Sequence, residues 1–398
     1  MDERPSFSFD HTSPEFAADP WSTYARLRRE CPVAWTESHG GFWVLARYDD
    51  VYEVARDDET FSSDREVVIP PTRVGKLVPL NSDPPALQVY RRILLPFFSL
   101  QYVERTLAPR IRDLVDVHLD RILATERFDL VRSFALPIPA MTTHALLGLP
   151  LDEWEASVRP VEAISTSRAG TPEQARAVRL VGELRARLAD EAERRRSEPR
   201  EDLLTHLTQA HFEDRPLRPD EIADMATLVV FAGMDTTTAA VSNALLYLHH
   251  DLEARARLIA EPALLENAIE EFLRYEPPVQ GFARTVTRDC VVGGQAIPAG
   301  ETIFMLWGSA NRDEAVFAQP DEVVLDRVPN RHLAFGVGAH RCLGANIARA
   351  EIRIMLGEVL ARLPDYRILE EEMEARSTAA ISFGKLRLPA VRRARTAA

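Results

Sequence analysis

Cysteine is scarce in this chain of 398 residues, which contains only Cys31, Cys290 and Cys342. Three thiols are too few for a disulfide framework, for a four-cysteine zinc site or for an iron–sulfur cluster with four thiolate ligands. A reducing compartment, and hence a cytoplasmic location, is the simplest expectation.

Positive charge and long apolar runs are also lacking. The chain has 48 Lys and Arg against 61 Asp and Glu, a formal net charge of -13, which argues against a nucleic acid partner. The first twenty residues contain no apolar stretch of the kind that begins a signal peptide or a membrane anchor. The most apolar segment, 225–248, is interrupted by Asp235, several threonines and Asn243, so it predicts a buried helix and no membrane partner.

Internal repeats, low-complexity tracts and Gly/Ser linkers are absent, so nothing in the sequence marks a domain boundary. We expect one domain over residues 1–398. Its minor sheet-rich part covers about 1–85, its helical core about 86–362 and its C-terminal strands about 363–390. The predicted fold class is mainly α with a minor β-sheet region.

Local patterns refine this outline. Apolar spacing predicts helices at 21–30 and from 48 onward, with a strand hairpin between them around residues 39–41. The glycine pair Gly293-Gly294 predicts a second hairpin, and short strands are expected near 366–369 and 381–389. Residues 65–85 are proline-rich and aperiodic, which is typical of a functional loop, here a candidate substrate lid.

Cys342 follows a glycine-rich loop and precedes a long amphipathic helix. A thiol at a helix N-terminus beside His340 and Arg341 should have a lowered pKa, because the helix dipole and nearby cations favour thiolate. Thiolate is a soft metal ligand. Glycines at 336, 338 and 344 would let the backbone approach a flat cofactor.

Three other interpretations compete for this segment. A cysteine inside a fold is most often a small hydrophobe. Gly336-Val337-Gly338 begins like a dinucleotide fingerprint, but the third glycine would fall at Arg341 and no strand precedes it. A zinc deaminase site would need an H-x-E and a C-x-x-C, and neither occurs. A metal site with one cysteine favours haem.

The ten residues FGVGAHRCLG, 335–344, resemble the haem-binding loop of the cytochrome P450 monooxygenases, and the similarity extends over nearly the whole chain. The resemblance implies the cytochrome P450 fold, with haem b between the long central helix and the helix after Cys342. It also implies that Cys342 binds the iron and that electrons come indirectly from NAD(P)H. The residues that would line the haem in this loop are Phe335, Gly336, Gly338, His340 and Gly344.

A second motif is EEFLRYEPP, in which Glu271 and Arg274 lie three apart on one helix face and can pair. Alone, such a pair is usually solvated and contributes well under about 1 kcal/mol. By resemblance it is the buried pair of the family, completed by Arg327, with a structural role.

A third motif, AGMDTT at 232–237, lies in the middle of the most apolar helix. A threonine in a helix can donate to the carbonyl four residues earlier and bend the axis, so a kinked core helix is one interpretation. The resemblance implies a catalytic pair instead, in which Thr236 hydrogen-bonds bound dioxygen and Asp235 relays protons from water. Ala232 and Gly233 would then line the haem.

Haem propionates need cationic partners, and matching positions imply Arg91, Arg284 and His340, although surface arginine is the ordinary alternative. Leu87 stands where many relatives have a histidine. The implied substrate pocket is formed by the 65–82 loop, 166–171, 229–236, 279–282 and 381–383. Its wall residues are Val229, Val279, Phe282 and Ile381. These are apolar, with Arg65, Arg73 and Lys76 as candidate anchors for an acidic substrate.

The chain has no flavin fingerprint and too few cysteines for a cluster of its own, so a separate ferredoxin and ferredoxin reductase are implied. A basic patch around the thiolate loop would attract an acidic ferredoxin. Its members are Arg91, Arg92, Arg331, Arg341, Arg349 and Arg353.

The resulting expectation is a monooxygenase that inserts one oxygen atom of O2 into a small to mid-sized, largely apolar organic substrate, by hydroxylation, epoxidation or dealkylation, in secondary metabolism. One alternative is a peroxygenase driven by hydrogen peroxide. Another is a haem sensor or carrier without turnover, for which the Asp235-Thr236 pair would have no use.

Overall fold

The computed structural model describes residues 4–65, 67–376 and 381–392. Its α-helices are α1 (Pro14–Ala18), α2 (Pro20–Glu30), α3 (Tyr48–Arg56), α4 (Ala86–Phe98), α5 (Leu100–Tyr102), α6 (Ala108–Leu123), α7 (Pro137–Leu147), α8 (Trp154–Thr166), α9 (Pro172–Ser197), α10 (Leu203–Gln209), α11 (Pro219–His250), α12 (Leu252–Ala260), α13 (Leu265–Tyr275), α14 (Trp307–Ala310) and α15 (Ala345–Arg362). Two π-helical turns, Val103–Leu107 and Val131–Ala135, precede α6 and α7.

The strands are short, and most of them lie near the two ends of the chain and around residues 281–306, with three more inside the helical part. They are β1 (Val33–Thr36), β2 (Phe42–Leu45), β3 (Phe61–Ser62), β4 (Arg127–Asp129), β5 (His211–Phe212), β6 (Arg215–Pro216), β7 (Gly281–Val286), β8 (Cys290–Val292), β9 (Gln295–Ile297), β10 (Thr302–Leu306), β11 (Tyr366–Ile368), β12 (Glu374–Ala375), β13 (Lys385–Arg387) and β14 (Pro389–Arg392). The predicted fold class, mainly α with a minor sheet, is confirmed.

The main sheet has the order β1-β2-β10-β7-β3, in which β10 is parallel to β2 and antiparallel to β7. The predicted hairpin joins β1 and β2 in antiparallel register. Gly41, at its turn, has φ 94°, and a Cβ there would lie 2.3 Å from the Trp35 ring. Only glycine fits this turn. The hairpin at Gly293-Gly294 pairs β8 with β9, also as predicted.

Helix α11 is the core of the molecule. It begins at Pro219 after Arg218, whose backbone N–H donates to the Glu221 carboxylate (2.8 Å), and it packs against α7, α8, α9 and α15. Its length and apolar character would suffice to cross a membrane, yet 72% of its most apolar window is buried inside the protein. Neighbouring helices therefore cover it, as the sequence predicts for a buried helix.

The loop before α4 is fastened at two points. The Ala283 N–H donates to the carbonyl of Val67 (2.7 Å), and the Nε2 of His11 lies 2.5 Å from the carbonyl oxygen of Ile69. The loop therefore lies against β7 and the N-terminal segment. Its role as a substrate lid, and the single-domain boundaries, stay predictions.

Candidate active site

The loop before α15 folds back on itself to present Cys342. The Cys342 N–H donates to the carbonyl of Phe335 (2.8 Å). Gly336 and Gly338 have φ 63° and 76°, and a Cβ at Gly338 would lie 2.7 Å from the carbonyl oxygen of Ala55. These two glycines are therefore required by the backbone path and by its close approach to α3.

The expected lowering of the Cys342 pKa is wrong for this structure. Cys342 is exposed, but the surrounding protein makes a charge costly, and this desolvation raises the pKa of the thiol. The backbone of Gly344 and the arginines 91, 349 and 341 act in the predicted direction but do not outweigh it. The thiol is accessible, and binding to a metal ion would deprotonate it.

Helix α11 is mostly buried but has an exposed residue near its middle. Ala232 is exposed although its neighbours Met234 and Asp235 are buried. The hydroxyl of Thr236 donates to the carbonyl of Ala232 (2.8 Å), which is the back-bonding anticipated for threonine in a helix. Gly233 is packed closely, because a Cβ there would lie 2.5 Å from the Thr143 hydroxyl. Ala232 and Thr236 thus share one accessible face of α11.

Two arginines and a histidine meet near the Cys342 loop. Arg91 donates to the carbonyl of Arg341 (2.8 Å). Arg284 is buried, and burial lowers its pKa to about 10 against the opposing effect of Asp58 and Asp83. Burial, with the charges of Arg284 and Arg91, lowers the pKa of His340 to about 3.

Arg91, Arg284 and His340 have spare binding capacity. Among the described residues, the Nε2 of His340 is buried without a hydrogen-bond partner, and Arg91 and Arg284 form no ion pair within 4 Å. Buried positive charge without a paired carboxylate is unfavourable unless an anion binds. The residues Arg91, Arg284 and His340 therefore fit the two carboxylates of haem b, and the accessible thiol of Cys342 fits its iron.

Glu271 and Arg274 form a fully buried pair. The Nε and Nη2 of Arg274 each lie 2.8 Å from a Glu271 oxygen, and both side chains are 0% exposed. The Nε of Arg327 lies 3.0 and 3.1 Å from the same carboxylate. The remaining donors of Arg274 reach the carbonyls of residues 311, 320 and 322. The three charges therefore hold 311–327 against α13, the arrangement that the resemblance implies.

The comparisons with known proteins agree with this geometry. A family model described as cytochrome P450 matches residues 173–364. The chain is 33% identical to "Cytochrome P450 130" of Mycobacterium tuberculosis over 385 residues, 92% of this chain and 94% of that protein. The chain belongs to the cytochrome P450 family. It is also 33% identical to "Mycinamicin IV hydroxylase/epoxidase" of Micromonospora griseorubida, covering 92% of this chain and 94% of that protein.

A solved structure, CYP109E1 from Bacillus megaterium in complex with testosterone, superposes with a TM-score of 0.87 at 30% identity, covering 96% of this chain and all of the other. The protein is therefore an oxidoreductase of the cytochrome P450 monooxygenase class, with haem b as cofactor and electrons that come from NAD(P)H through redox partners.

Asp235 of this cytochrome P450 has partners that the sequence did not predict. Its carboxylate accepts from the hydroxyls of Ser382 (2.6 Å) and Ser165 (3.2 Å), and Arg376 pairs with its other oxygen. All four side chains are buried. The partners lie 70 to 147 positions away in the sequence, and no local pattern connects them with α11.

The predicted pocket residues lie on three elements. Val229 is buried on α11, and Val279 and Phe282 are half-buried before and in β7. Ile381, half-buried, lies two residues before Phe383, whose N–H donates to the carbonyl of Pro278 (2.6 Å). This bond brings the C-terminal segment beside residue 279, so these two parts of the predicted wall are neighbours.

The predicted anchors for an acidic substrate are exposed on the outside of the lid loop. Arg65, Arg73 and Lys76 are exposed, and the Nζ of Lys76 pairs with Asp64 (2.6 Å) where both side chains are more than half exposed. Leu87 is buried, 1% exposed, and so contributes to the apolar interior. Nothing in these positions favours a charged substrate.

The basic patch has fewer arginines with an unpaired charge than predicted. Arg349 makes a bidentate pair with Glu270 (2.7 Å each) and stacks over Phe335, and Arg353 pairs with Glu104 (3.0 Å). Burial raises the pKa of Glu270, but Arg349 and His332 outweigh it and lower this pKa to about 2. These arginines are therefore neutralised. The exposed members without an ion pair among the described residues are Arg92, Arg331 and Arg341.

One further carboxyl group was missed. Glu351 on α15 is 2% exposed and hydrogen-bonds with Thr142 on α7 and Thr237 on α11. Burial raises its pKa to about 8 although both hydroxyls oppose the shift. Its only sequence signal is a charged residue within the apolar spacing of IARAEIRIML.

Proposed function

We propose that this cytochrome P450 inserts one oxygen atom of O2 into a small to mid-sized, largely apolar organic substrate, by hydroxylation, epoxidation or dealkylation. The observation that carries the proposal is the accessible thiol of Cys342 together with an acid–alcohol pair on the helix packed against α15. Cys342 would bind the iron of haem b, and Arg91, Arg284 and His340 would bind its propionates; the bound haem would supply the chemistry that activates O2.

The protein's own groups have separate roles in this proposal. Thr236 lies on the accessible face of α11 and holds a hydroxyl that can accept one proton and donate another. Asp235, next to it, supplies the carboxylate that passes protons from water to this hydroxyl. The apolar wall of Val229, Val279, Phe282 and Ile381 excludes water and orients the substrate.

An apolar substrate is supported by this wall and by relatives. One relative is named for hydroxylation and epoxidation of mycinamicin IV, and a structural neighbour holds testosterone. The relative named for mycinamicin IV supports a role in secondary metabolism. The three free cysteines support a cytoplasmic location.

The proposal is tested by steady turnover. Purified protein, a surrogate ferredoxin, its reductase and NADPH are combined with testosterone or mycinamicin IV as probes, and NADPH, oxygen and product are measured. Product that depends on NADPH and O2 supports a monooxygenase. Product with peroxide alone supports the peroxygenase alternative, and a lack of NADPH oxidation supports a carrier or sensor.

Thr236→Ala is expected to leave haem binding intact but to divert electrons to hydrogen peroxide. Loss of the hydroxyl removes a proton donor on the accessible face of α11, while the helix keeps its backbone bonds. We expect peroxide released per NADPH to rise roughly tenfold. The control is Thr227→Ala, which removes a buried hydroxyl on the same helix that donates to the carbonyl of Ala223 (2.7 Å). Full coupling in Thr236→Ala would exclude the relay role.

The surface beside the Cys342 loop is our candidate for ferredoxin docking. Arg92 is exposed on α4, three residues before the exposed side chain of Leu95, and Leu100 is exposed on α5. Arg331 and Arg341 are exposed and lie near Cys342 in the sequence. Positive charge together with exposed apolar side chains is suited to an acidic electron-transfer protein.

Arg92→Glu is therefore expected to slow ferredoxin-driven reduction by roughly tenfold at low ionic strength, with a smaller effect at high salt. Stopped-flow reduction under carbon monoxide measures the rate. Arg176→Glu on α9, an exposed site, changes the net charge equally and serves as the control. Equal rates for the two variants would reject this docking surface.

A further inference from the structure

Among the described residues, the groups that hold the carboxylate of Asp235 all lie outside its own helix. Ser165 reaches it from the last turn of α8, and Ser382 and Arg376 reach it from the C-terminal segment. Meanwhile the neighbouring Thr236 hydroxyl is bonded to the Ala232 carbonyl. In this arrangement Asp235 has its hydrogen bonds with the pocket-forming segments and none with Thr236.

The C-terminal segment follows α11 closely. Ser382 bonds Asp235, a Cβ on Gly384 would lie 2.6 Å from the Cβ of Ala239, and the Asn243 amide donates to the carbonyl of Phe383 (3.0 Å). These three positions on α11 are four residues apart, so they form one face. This segment also contains Ile381 of the predicted pocket. A displacement of the segment would therefore move the Ser382 hydroxyl that binds Asp235.

Within the part of the chain that the structure describes, Arg376 has no second partner for its charge. It is 7% exposed, and among the described residues its Nε and Nη1 are buried without a hydrogen-bond partner. Its ion pair with Asp235 is thus the sole compensation that the described residues give to a buried guanidinium. A buried charge that depends on one carboxylate constrains both side chains strongly.

We infer that Arg376 is a positioning residue for Asp235, through which the C-terminal segment of the substrate pocket sets the orientation of the carboxylate that serves oxygen activation. This inference rests on the proposed function of Asp235 and adds the residue that positions its carboxylate. Arg376 does not touch the reacting atoms; it acts through Asp235.

The first test needs no turnover. Melting temperatures are measured for holoenzyme carrying Arg376→Gln, Asp235→Asn and both. Each single variant leaves one buried charge unpaired, so the double variant should melt at or above the less stable single variant rather than at the sum of their losses. The control is Arg387→Gln on β13, which removes an exposed ion-pair partner of Asp129. Additive losses would refute the pairing.

The second test measures proton delivery without a substrate. Ferredoxin-driven reduction of O2 gives hydrogen peroxide with two electrons and two protons, or two waters with four of each. Arg376→Gln should raise the peroxide fraction several-fold, with Arg376→Lys closer to wild type, and Asp235→Asn/Arg376→Gln should match Asp235→Asn alone. An unchanged fraction in Arg376→Gln, or multiplied effects in the double variant, would overturn the inference.

The two tests separate the inference from the proposed function. If wild-type protein forms no product from any probe while the stability cycle is strongly non-additive, the pair is real and the proposed function fails. If product forms but Arg376→Gln, correctly folded and with full haem content, partitions oxygen as wild type does, the positioning role fails alone. Ser382→Ala provides a second variant should Arg376→Gln not fold.

Discussion

Cys342→Ser is expected to remove the long-wavelength Soret band that the reduced protein forms with carbon monoxide, and to abolish ferredoxin-driven product formation. A thiolate donates electron density to iron, and a serine hydroxyl is a harder and weaker donor. Because Cys342 is exposed and its N–H bonds to Phe335 through the backbone, the substitution should leave the loop folded. The loss is therefore one of chemistry rather than of stability.

The measurement is a difference spectrum of reduced protein with and without carbon monoxide, combined with haem content and melting temperature. Cys290→Ser is the matched control, because Cys290 is half-buried on β8, far in sequence from the glycine-rich loop. The control should keep the wild-type spectrum. A Cys342→Ser spectrum that matches wild type would contradict the assignment of the iron ligand, and with it the proposed function.

Local motifs explain what the sequence predicted well. The glycine-rich loop, the E-x-x-R pair and the acid–alcohol pair each lie within a few residues on one element, so their spacing alone fixes which side chains share a turn or a helix face. A buried helix was predicted over 225–248 from its apolar residues, and α11 extends beyond this segment at both ends, from Pro219 to His250. The pairing register of β1 and β2 follows from the turn at Gly41, because the type of turn fixes which residues of a hairpin face each other.

Contacts between distant segments could not be predicted. Arg376 meets Asp235 across 141 positions, and Arg349 meets Glu270 across 79. A sequence shows that such arginines exist but not which carboxylate each one reaches. The direction of the Cys342 pKa was wrong for a related reason: the cations were visible in the sequence, whereas the desolvation that outweighs them arises only from the packed fold.

Glu351 provides a consequence of that same packing. Its folded-state pKa is about 8, above the ordinary value of 4.5. Below about pH 4.5 the carboxyl group is protonated in both folded and unfolded chains. As the pH rises to 8, the unfolded chain ionises while the folded protein keeps its proton, so stability falls through this window.

Glu351→Gln is therefore expected to equal wild type in unfolding free energy near pH 4.5 and to exceed it increasingly up to pH 8. At about 1.4 kcal/mol per pKa unit, the relative gain at pH 8 is on the order of 4 kcal/mol. Glutamine keeps an oxygen that can accept from the hydroxyls of Thr142 and Thr237, and it has no charge to desolvate. The reason is electrostatic, so no new packing contact is needed.

The measurement is the melting temperature of holoenzyme at several pH values between 4.5 and 8.5 for wild type, Glu351→Gln and Glu358→Gln. Glu358 is half-buried on the same helix, seven residues further along, so its variant controls for loss of a carboxylate from α15. The difference between Glu351→Gln and wild type should widen with pH. A constant difference, or one that narrows, would show that Glu351 ionises in the folded protein at an ordinary pH. The polar contact joining α7, α11 and α15 would then carry a buried negative charge beside Thr237.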